Sequence, residues 1–291
     1  MLKQIFMKLW ESIFLGVVQG LTEFLPVSSS GHLAIIQKTM NIEGATIFFD
    51  ILLHVATLGS ILIYFRQEVL VLLRSVPRVP NFIRKLFQKG HLAIADDEQV
   101  WMLLLLCLST AVTVAIALPL ESWIETHFHN LILIGICYLL TGSFLLSTLF
   151  TAPEEIRKKR RKNIKGMAQV SLKDAVLLGL AQSAALLPGI SRSGSTISAA
   201  LHLRMSRQKA GEYSFLLAIP IILGALIVKL AKGVEIQELH ISIIGGFISA
   251  FITGLIALHF LIPWIKKGKL HYFSWYCFGV SALCLYLSFF K

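Results

Sequence analysis

The chain has 291 residues, of which 56% are hydrophobic and only 15% are charged, and its mean hydropathy is +0.74. Soluble globular domains contain about 25% charged residues, so this composition excludes an ordinary soluble protein and indicates one membrane domain over 1–291. The formal net charge of +11 is concentrated between the apolar segments, as is typical of the cytoplasmic loops of membrane proteins. We therefore expect no nucleic-acid partner.

The hydropathy pattern predicts eight apolar elements, six of which reach the length of about 20 residues that a spanning helix requires. In chain order they are a broken element at about 10–40, spans at 46–65, 100–119 and 130–150, a second broken element at about 172–206, and spans at 210–230, 240–262 and 272–290. Pro, Gly and Ser interrupt both broken elements in the middle. Because irregular backbone at membrane depth must be covered by protein or by a water-filled cavity, we predict two re-entrant helix–loop–helix elements in an all-α integral membrane protein.

The two broken elements are related in sequence. Five residues of the first, namely Gly16, Gln19, Ser28, Ser30 and Gly31, recur 163 positions later as Gly179, Gln182, Ser191, Ser193 and Gly194. Three spans follow each broken element, and an odd number of spans inverts the second copy. The pattern predicts an inverted-topology repeat with halves of about 1–150 and 172–291, joined by a loop at 151–171.

Charge predicts the orientation of these elements. The loop after 46–65, the loop at 151–171 and the connection Lys266–Lys269 are basic, whereas the connection near 120–130 carries two glutamates. Basic loops face the cytoplasm. We therefore expect a multi-pass protein with both termini outside the cytoplasm and a central cavity that opens outward.

The first broken element carries ionisable and hydroxyl side chains at its interruption. Gln19 and Glu23 share one helix face at i,i+4 spacing, Pro26 ends that helix, and a turn that includes Ser28, Ser29 and Ser30 precedes His32, which we predict to open the returning helix. Such a turn directs backbone N–H groups and a helix N-terminus toward one point, which suits a phosphate. A carboxylate, hydroxyls and an imidazole there are the components of a phosphotransfer site.

The second broken element supplies a cation. Arg192 offers a planar guanidinium that matches two phosphate oxygens. Hydroxyl groups accompany it at Ser191, Ser193 and Thr196. Since inverted repeats bring broken helix tips together near the membrane midplane, we expect Arg192 to face Glu23 and His32 across one cavity.

A structural interpretation competes at each position. Any single serine or glycine in a membrane helix is typically a close-packing residue. A charge at membrane depth, however, costs about 2.5–3.5 kcal/mol or more, which favours function for Glu23, His32 and Arg192. Asp50 and His54, another i,i+4 pair, either line the mouth of the site or make structural hydrogen bonds.

Two long motifs resemble those of a known family. The stretch Gln19–His32, with (Glu/Gln)-x-x-x-Glu spacing followed by Phe-Leu-Pro-Val-Ser-Ser-Ser-Gly-His, resembles the first signature of the undecaprenyl-diphosphate phosphatases, the bacitracin-resistance family. Pro188–Thr196, Pro-Gly-Ile-Ser-Arg-Ser-Gly-Ser-Thr, is similar to the second signature. The resemblance covers essentially the whole chain.

This resemblance implies six spanning helices with two re-entrant pairs, in a bacterial plasma membrane. It also implies hydrolysis of undecaprenyl diphosphate to the monophosphate, which recycles the lipid carrier of cell-wall polymers such as peptidoglycan and gives bacitracin resistance, with help from a divalent cation such as Mg or Ca. Gln19 stands where many members have Glu, so Glu23 would be the one charged ligand of a Gln19–Glu23 cation site.

For such an enzyme we expect Glu23, Ser29, His32 and Arg192 to be catalytic. The hydroxyls expected to bind substrate are those of Ser28, Ser30, Ser191, Ser193 and Thr196. In one mechanism Ser29 attacks with His32 as base, and in the other His32 is itself phosphorylated. The expected partners are the polyprenyl diphosphate and membrane lipids, while homo-oligomer formation is left open.

A transporter or flippase of polyprenyl phosphate is the alternative, since secondary transporters also use inverted repeats with broken helices. The hydroxyl-rich turn before His32 favours hydrolysis, because transport alone requires no nucleophile and base.

Overall fold

A computed structural model describes residues 7–40, 42, 47–90, 92–151, 164–233 and 241–289. Within these ranges the chain is all-α, as predicted, apart from short 3₁₀ turns and an isolated bridge between Lys165 and Met205. The helices are α1 (Leu9–Phe24), α2 (Ser29–Met40), α3 (Ile47–Tyr64), α4 (Arg66–Ser75), α5 (Val79–Lys89), α6 (Leu92–Asp96), α7 (Glu98–His127), α8 (Leu131–Ser147), α9 (Leu172–Ala184), α10 (Arg192–His202), α11 (Arg207–Ala231), α12 (Ile241–Lys266) and α13 (Tyr272–Phe289).

Among the described residues, five segments are long and apolar enough to cross a membrane: α7, α8 with the turn that follows it, α11, α12 and α13. They coincide with five of the six predicted spans. The sixth, α3, ends at Tyr64, and the chain then bends by 84° into the segment Arg66–Gln88, so the count is six if this bent pair is one span. The chain is a multi-pass membrane protein. Of the predicted basic loop at 151–171, residues 152–163 lie outside the described residues.

Both predicted interruptions are breaks between helices. α1 ends at Phe24, just before Pro26, and α2 begins at Ser29, so the prediction that His32 opens the returning helix is wrong. The helix begins earlier because the Ser28 hydroxyl caps it by accepting a hydrogen bond from Gly31 N at 3.3 Å. Ser191 caps α10 in the same way, by accepting from Gly194 N at 3.0 Å.

Close helix packing fixes the position of each break. Helix α1 packs along α12, and α9 packs along α7. A Cβ atom added at Gly16 would collide with the Gly246 carbonyl on α12, and one added at Gly179 would lie 2.7 Å from the Ser109 carbonyl on α7. Small residues allow such backbone approach between membrane helices. The tips of α1 and α9 are therefore held by helices from the opposite half of the sequence.

Candidate active site

The two turns that follow α1 and α9 are in direct contact, as the repeat predicts. Gly189 N donates a hydrogen bond of 3.1 Å to Ser28 Oγ, and Ser193 Oγ donates one of 3.3 Å to the Leu25 carbonyl. Gly189 has φ +99°, a conformation that favours glycine, and a Cβ there would lie 2.6 Å from the Ile134 carbonyl. A glycine is thus required where the second turn approaches the first.

Glu23 is the centre of the site, and its side chain is only 6% exposed. Its Oε1 accepts a hydrogen bond of 2.9 Å from Arg192 Nη2. Its Oε2 accepts from Ser29 Oγ at 2.6 Å and from Gln19 Nε2 at 3.0 Å. A buried carboxylate requires such partners because an unpaired buried charge is strongly destabilising. The expected meeting of Arg192 and Glu23 is confirmed.

Ser29 and Arg192 reach Glu23 from equivalent places. Each is the first residue of its helix, Ser29 in α2 and Arg192 in α10, and the two positions are 163 residues apart. Because both first turns adjoin the same carboxylate, the partially positive N-termini of two helices converge on one region. Together with the guanidinium, this arrangement favours an anion such as phosphate.

His54 also adjoins Glu23. Its Nε2 lies 3.7 Å from Glu23 Oε2, and its Nδ1 lies 2.8 Å from the Asp50 carbonyl oxygen. Asp50 itself accepts a hydrogen bond of 2.8 Å from Gln37. Of the two readings left open by the sequence, the structure therefore places His54 at the site and gives Asp50 a hydrogen bond that ties α2 to α3.

His32 has a different set of partners. Its Nδ1 lies 2.7 Å from the Ser28 carbonyl oxygen and 2.8 Å from Tyr138 Oη, and its Nε2 lies 2.6 Å from Tyr276 Oη. Among the described residues, the hydrogen bonds of this imidazole go to the Ser28 backbone and two tyrosines, whereas Ser29 Oγ is bonded to Glu23. No sequence pattern pointed to Tyr138 and Tyr276, because they lie within ordinary apolar spans.

The remaining hydroxyls build the turns. Ser28 and Ser30 lie 3.3 Å apart through their Oγ atoms, as do Ser191 and Ser193. Thr196 Oγ1 donates a hydrogen bond of 2.7 Å to the Arg192 carbonyl. These side chains are positioned around the site, and direct contact between them and a substrate stays a prediction.

The oxygen atoms near Glu23 suit a hard divalent cation, which prefers carboxylate and amide oxygens. Gln19 is fully buried, and its Oε1 has no hydrogen-bond partner. The described residues contain no group of three or more His, Cys, Asp or Glu side chains that could hold a metal. A cation that took Gln19 Oε1 and the Glu23 carboxylate as ligands would replace the hydrogen bond from Gln19 Nε2 to Glu23 Oε2, and it would need further oxygens from a bound ligand.

Comparison with known proteins places these features in context. The model of the family described as bacitracin resistance protein BacA matches residues 12–283. A curated undecaprenyl-diphosphatase from Treponema denticola is 42% identical over 272 residues, which is 93% of this chain and 94% of that protein. Proteins of the same name from Desulfatibacillum aliphaticivorans and Methanococcus vannielii are 38% and 36% identical, over 96% and 95% of this chain and 98% and 99% of their own lengths.

Proposed function

The chain belongs to the bacitracin resistance protein BacA family, and we propose that it hydrolyses undecaprenyl diphosphate to undecaprenyl phosphate and inorganic phosphate. The relatives named undecaprenyl-diphosphatase match over nearly their whole lengths. The observation that carries the proposal is the Glu23 cluster, in which Ser29 and Arg192 meet one buried carboxylate. In the cell this reaction would recycle the carrier lipid of wall synthesis and give resistance to bacitracin.

The cluster suits phosphoanhydride cleavage because the demanding part of that reaction is the control of negative charge. Arg192 and the N-terminal amides of α2 and α10 would bind the terminal phosphate. The leaving undecaprenyl phosphate is already a stable anion and needs no proton. The protein therefore has to neutralise the transferred phosphoryl group and activate a nucleophile.

Ser29 is the nucleophile that the geometry supports best, with Glu23 as its base. The hydrogen bond from Ser29 Oγ to Glu23 Oε2 is 2.6 Å, so Glu23 can take the proton as Ser29 Oγ bonds to the terminal phosphorus. The bond from that phosphorus to the bridging oxygen then breaks, and its electron pair leaves with undecaprenyl phosphate. Water then bonds to the phosphorus, the bond from that phosphorus to Ser29 Oγ breaks, and Ser29 Oγ recovers the proton held by Glu23. Inorganic phosphate leaves, and the second proton of the water passes to solvent. This replaces the expected pairing of Ser29 with His32 as base.

His32 would act in the second step, as base toward the attacking water, or in its own right as the phosphorylated residue. Its separate partners support a role apart from the Ser29–Glu23 pair.

Gln19 and Glu23 would hold a divalent cation, Mg or Ca, together with oxygens of the diphosphate. The unpartnered Gln19 Oε1 and the carboxylate beside it support this assignment. A cation there would neutralise charge on the bound diphosphate.

An inverted-topology repeat, with six spans and two re-entrant elements, would bring these residues together. The helix packing supports this repeat, since the first helix of each half packs on a helix of the other half: α1 on α12, and α9 on α7. So do the matching serine caps at Ser28 and Ser191. We place both termini outside the cytoplasm and the site on the outer side, on the basis of the basic loops. Terminal reporters that are labelled only from the cytoplasm would contradict this orientation.

Phosphate release from undecaprenyl diphosphate by the purified protein tests the proposal. We expect steady release by the wild-type chain and a loss of at least a hundredfold in Arg192→Lys, which keeps the charge but loses the planar fork. A correctly folded wild-type protein that releases no phosphate, yet moves polyprenyl phosphate across vesicles, would support the transporter alternative instead.

A further inference from the structure

The hydrogen bonds of His32 determine which of its ring nitrogens carries the proton. The Ser28 carbonyl oxygen, 2.7 Å from Nδ1, can only accept. Tyr138 Oη donates its proton to the same carbonyl oxygen at 3.2 Å. The lone pairs of Tyr138 Oη are therefore free to accept a hydrogen bond from His32 Nδ1–H, which lies 2.8 Å away. In the neutral imidazole Nδ1 is therefore the nitrogen that carries the proton, and Nε2 carries the lone pair.

Tyr276 covers that lone pair. Its hydroxyl lies 2.6 Å from Nε2, and because the lone pair accepts, the hydroxyl donates. The two rings are nearly parallel, with an interplanar angle of 10° and centroids 5.7 Å apart. Tyr276 is 49% exposed, so it lies on the outer side of the imidazole, where a membrane lipid would approach.

The position of Tyr276 is fixed by its helix rather than by His32. On α13, Ser281 Oγ donates a hydrogen bond of 2.7 Å to the Gly135 carbonyl of α8. Cys277 Sγ lies 3.7 Å from the Pro26 carbonyl oxygen. The tyrosine next to Cys277 is thus anchored to both α8 and the first turn, and it can hold the imidazole in one orientation.

We propose that Tyr276 is a positioning residue for His32: its hydroxyl keeps Nε2 as the unprotonated nitrogen of the ring and covers it until the step of the reaction that uses the imidazole. The functional part rests on the proposed phosphatase activity. The structural part is that the Nε2 lone pair accepts a hydrogen bond from Tyr276. This part does not depend on the phosphatase activity and can be measured separately.

The test is Tyr276→Phe in the full-length protein, since phenylalanine keeps the stacked ring and removes only the hydroxyl. Diethyl pyrocarbonate acylates an imidazole nitrogen with a free lone pair, and mass spectrometry measures the rate of acylation at each histidine. We expect acylation of His32 to become about fivefold to tenfold faster, which is the effect of one lost hydrogen bond. Phosphate release should fall by a similar factor, about fivefold to tenfold, because the imidazole loses its alignment.

Tyr272→Phe is the matched control. Tyr272 lies on the same helix and is 55% exposed, but its ring contacts His271 rather than His32. The Tyr272→Phe change should leave His32 acylation and turnover unchanged. Acylation of His202 should be the same in the wild-type protein and in both variants. Unchanged His32 acylation in a Tyr276→Phe protein with wild-type thermal stability would overturn the proposal, even if turnover fell. A wild-type protein without phosphatase activity would refute the proposed function and leave the predicted change in acylation in place.

Discussion

The ion pair between Arg192 and Glu23 yields the sharpest stability prediction. The side chains are 14% and 6% exposed, and their nitrogen and oxygen atoms are 2.9 Å apart. Removing one partner of a buried pair costs about 3–5 kcal/mol, because the other charge stays buried and unpaired. Arg192→Ala should therefore lower the thermal unfolding temperature clearly, whereas Arg192→Ala combined with Glu23→Ala should recover part of the loss.

The matched control is Lys209→Ala. Its ion pair with Glu212 has the same 2.9 Å separation, but Lys209 is 36% exposed, and exposed pairs contribute about 0–1 kcal/mol. Thermal unfolding of the purified proteins in one detergent, followed as a double-mutant cycle, measures the coupling between Arg192 and Glu23. Equal unfolding temperatures for Arg192→Ala and Lys209→Ala, or strictly additive effects in the cycle, would refute the reasoning.

Three further predictions concern the chemistry. Ser29→Ala should reduce phosphate release by several orders of magnitude if Ser29 attacks, but only about tenfold to a hundredfold if it merely supports binding; an acid-labile phosphoenzyme in this variant would identify His32 as the nucleophile. His32→Ala should abolish turnover under either mechanism, and near-normal release from a folded protein would show that His32 is not catalytic. Gln19→Glu adds a second carboxylate and should lower the Mg or Ca concentration for half-maximal activity, whereas the matched change Gln182→Glu should not; equal responses would argue against a cation at Gln19.

The sequence predicted five of the six spans directly, because bilayer thickness imposes a length and an apolar composition that hydropathy detects. It also predicted that the two turns meet, since the constant offset indicates a repeat whose broken helix tips come together. The cost of an unpaired charge at membrane depth predicts that Arg192 pairs with a carboxylate. The 84° bend after Tyr64 was not predictable, because α4 and α5 have ordinary amphipathic composition that fits several orientations.

Side-chain partners were harder to predict than backbone elements. The prediction that Arg192 faces both Glu23 and His32 across one cavity rested on residue type, but ring orientation depends on which acceptors the neighbouring helices present. Those acceptors include the Ser28 carbonyl, which is turned toward the ring in a residue with φ +64°. Neither that conformation nor the long-range contact of Tyr276 leaves a local sequence pattern.

The two segments related by the 163-residue offset differ at the positions that contact Glu23. At the equivalent positions, Glu23 of the first half corresponds to Leu186 of the second, Ser29 to Arg192, and His32 to Ser195. Ser29 and Arg192 both contact Glu23, so an arginine at both positions would place two guanidinium groups beside one buried carboxylate, and like charges there repel strongly. With one carboxylate and one guanidinium, the charges compensate each other, and the counterpart Leu186 instead lines an apolar pocket of about 420 Å³. Each half thus lacks what the other supplies, so a glutamate at Leu186 would not create a second site but would place a half-buried carboxylate beside a pocket with no arginine or lysine among its lining residues.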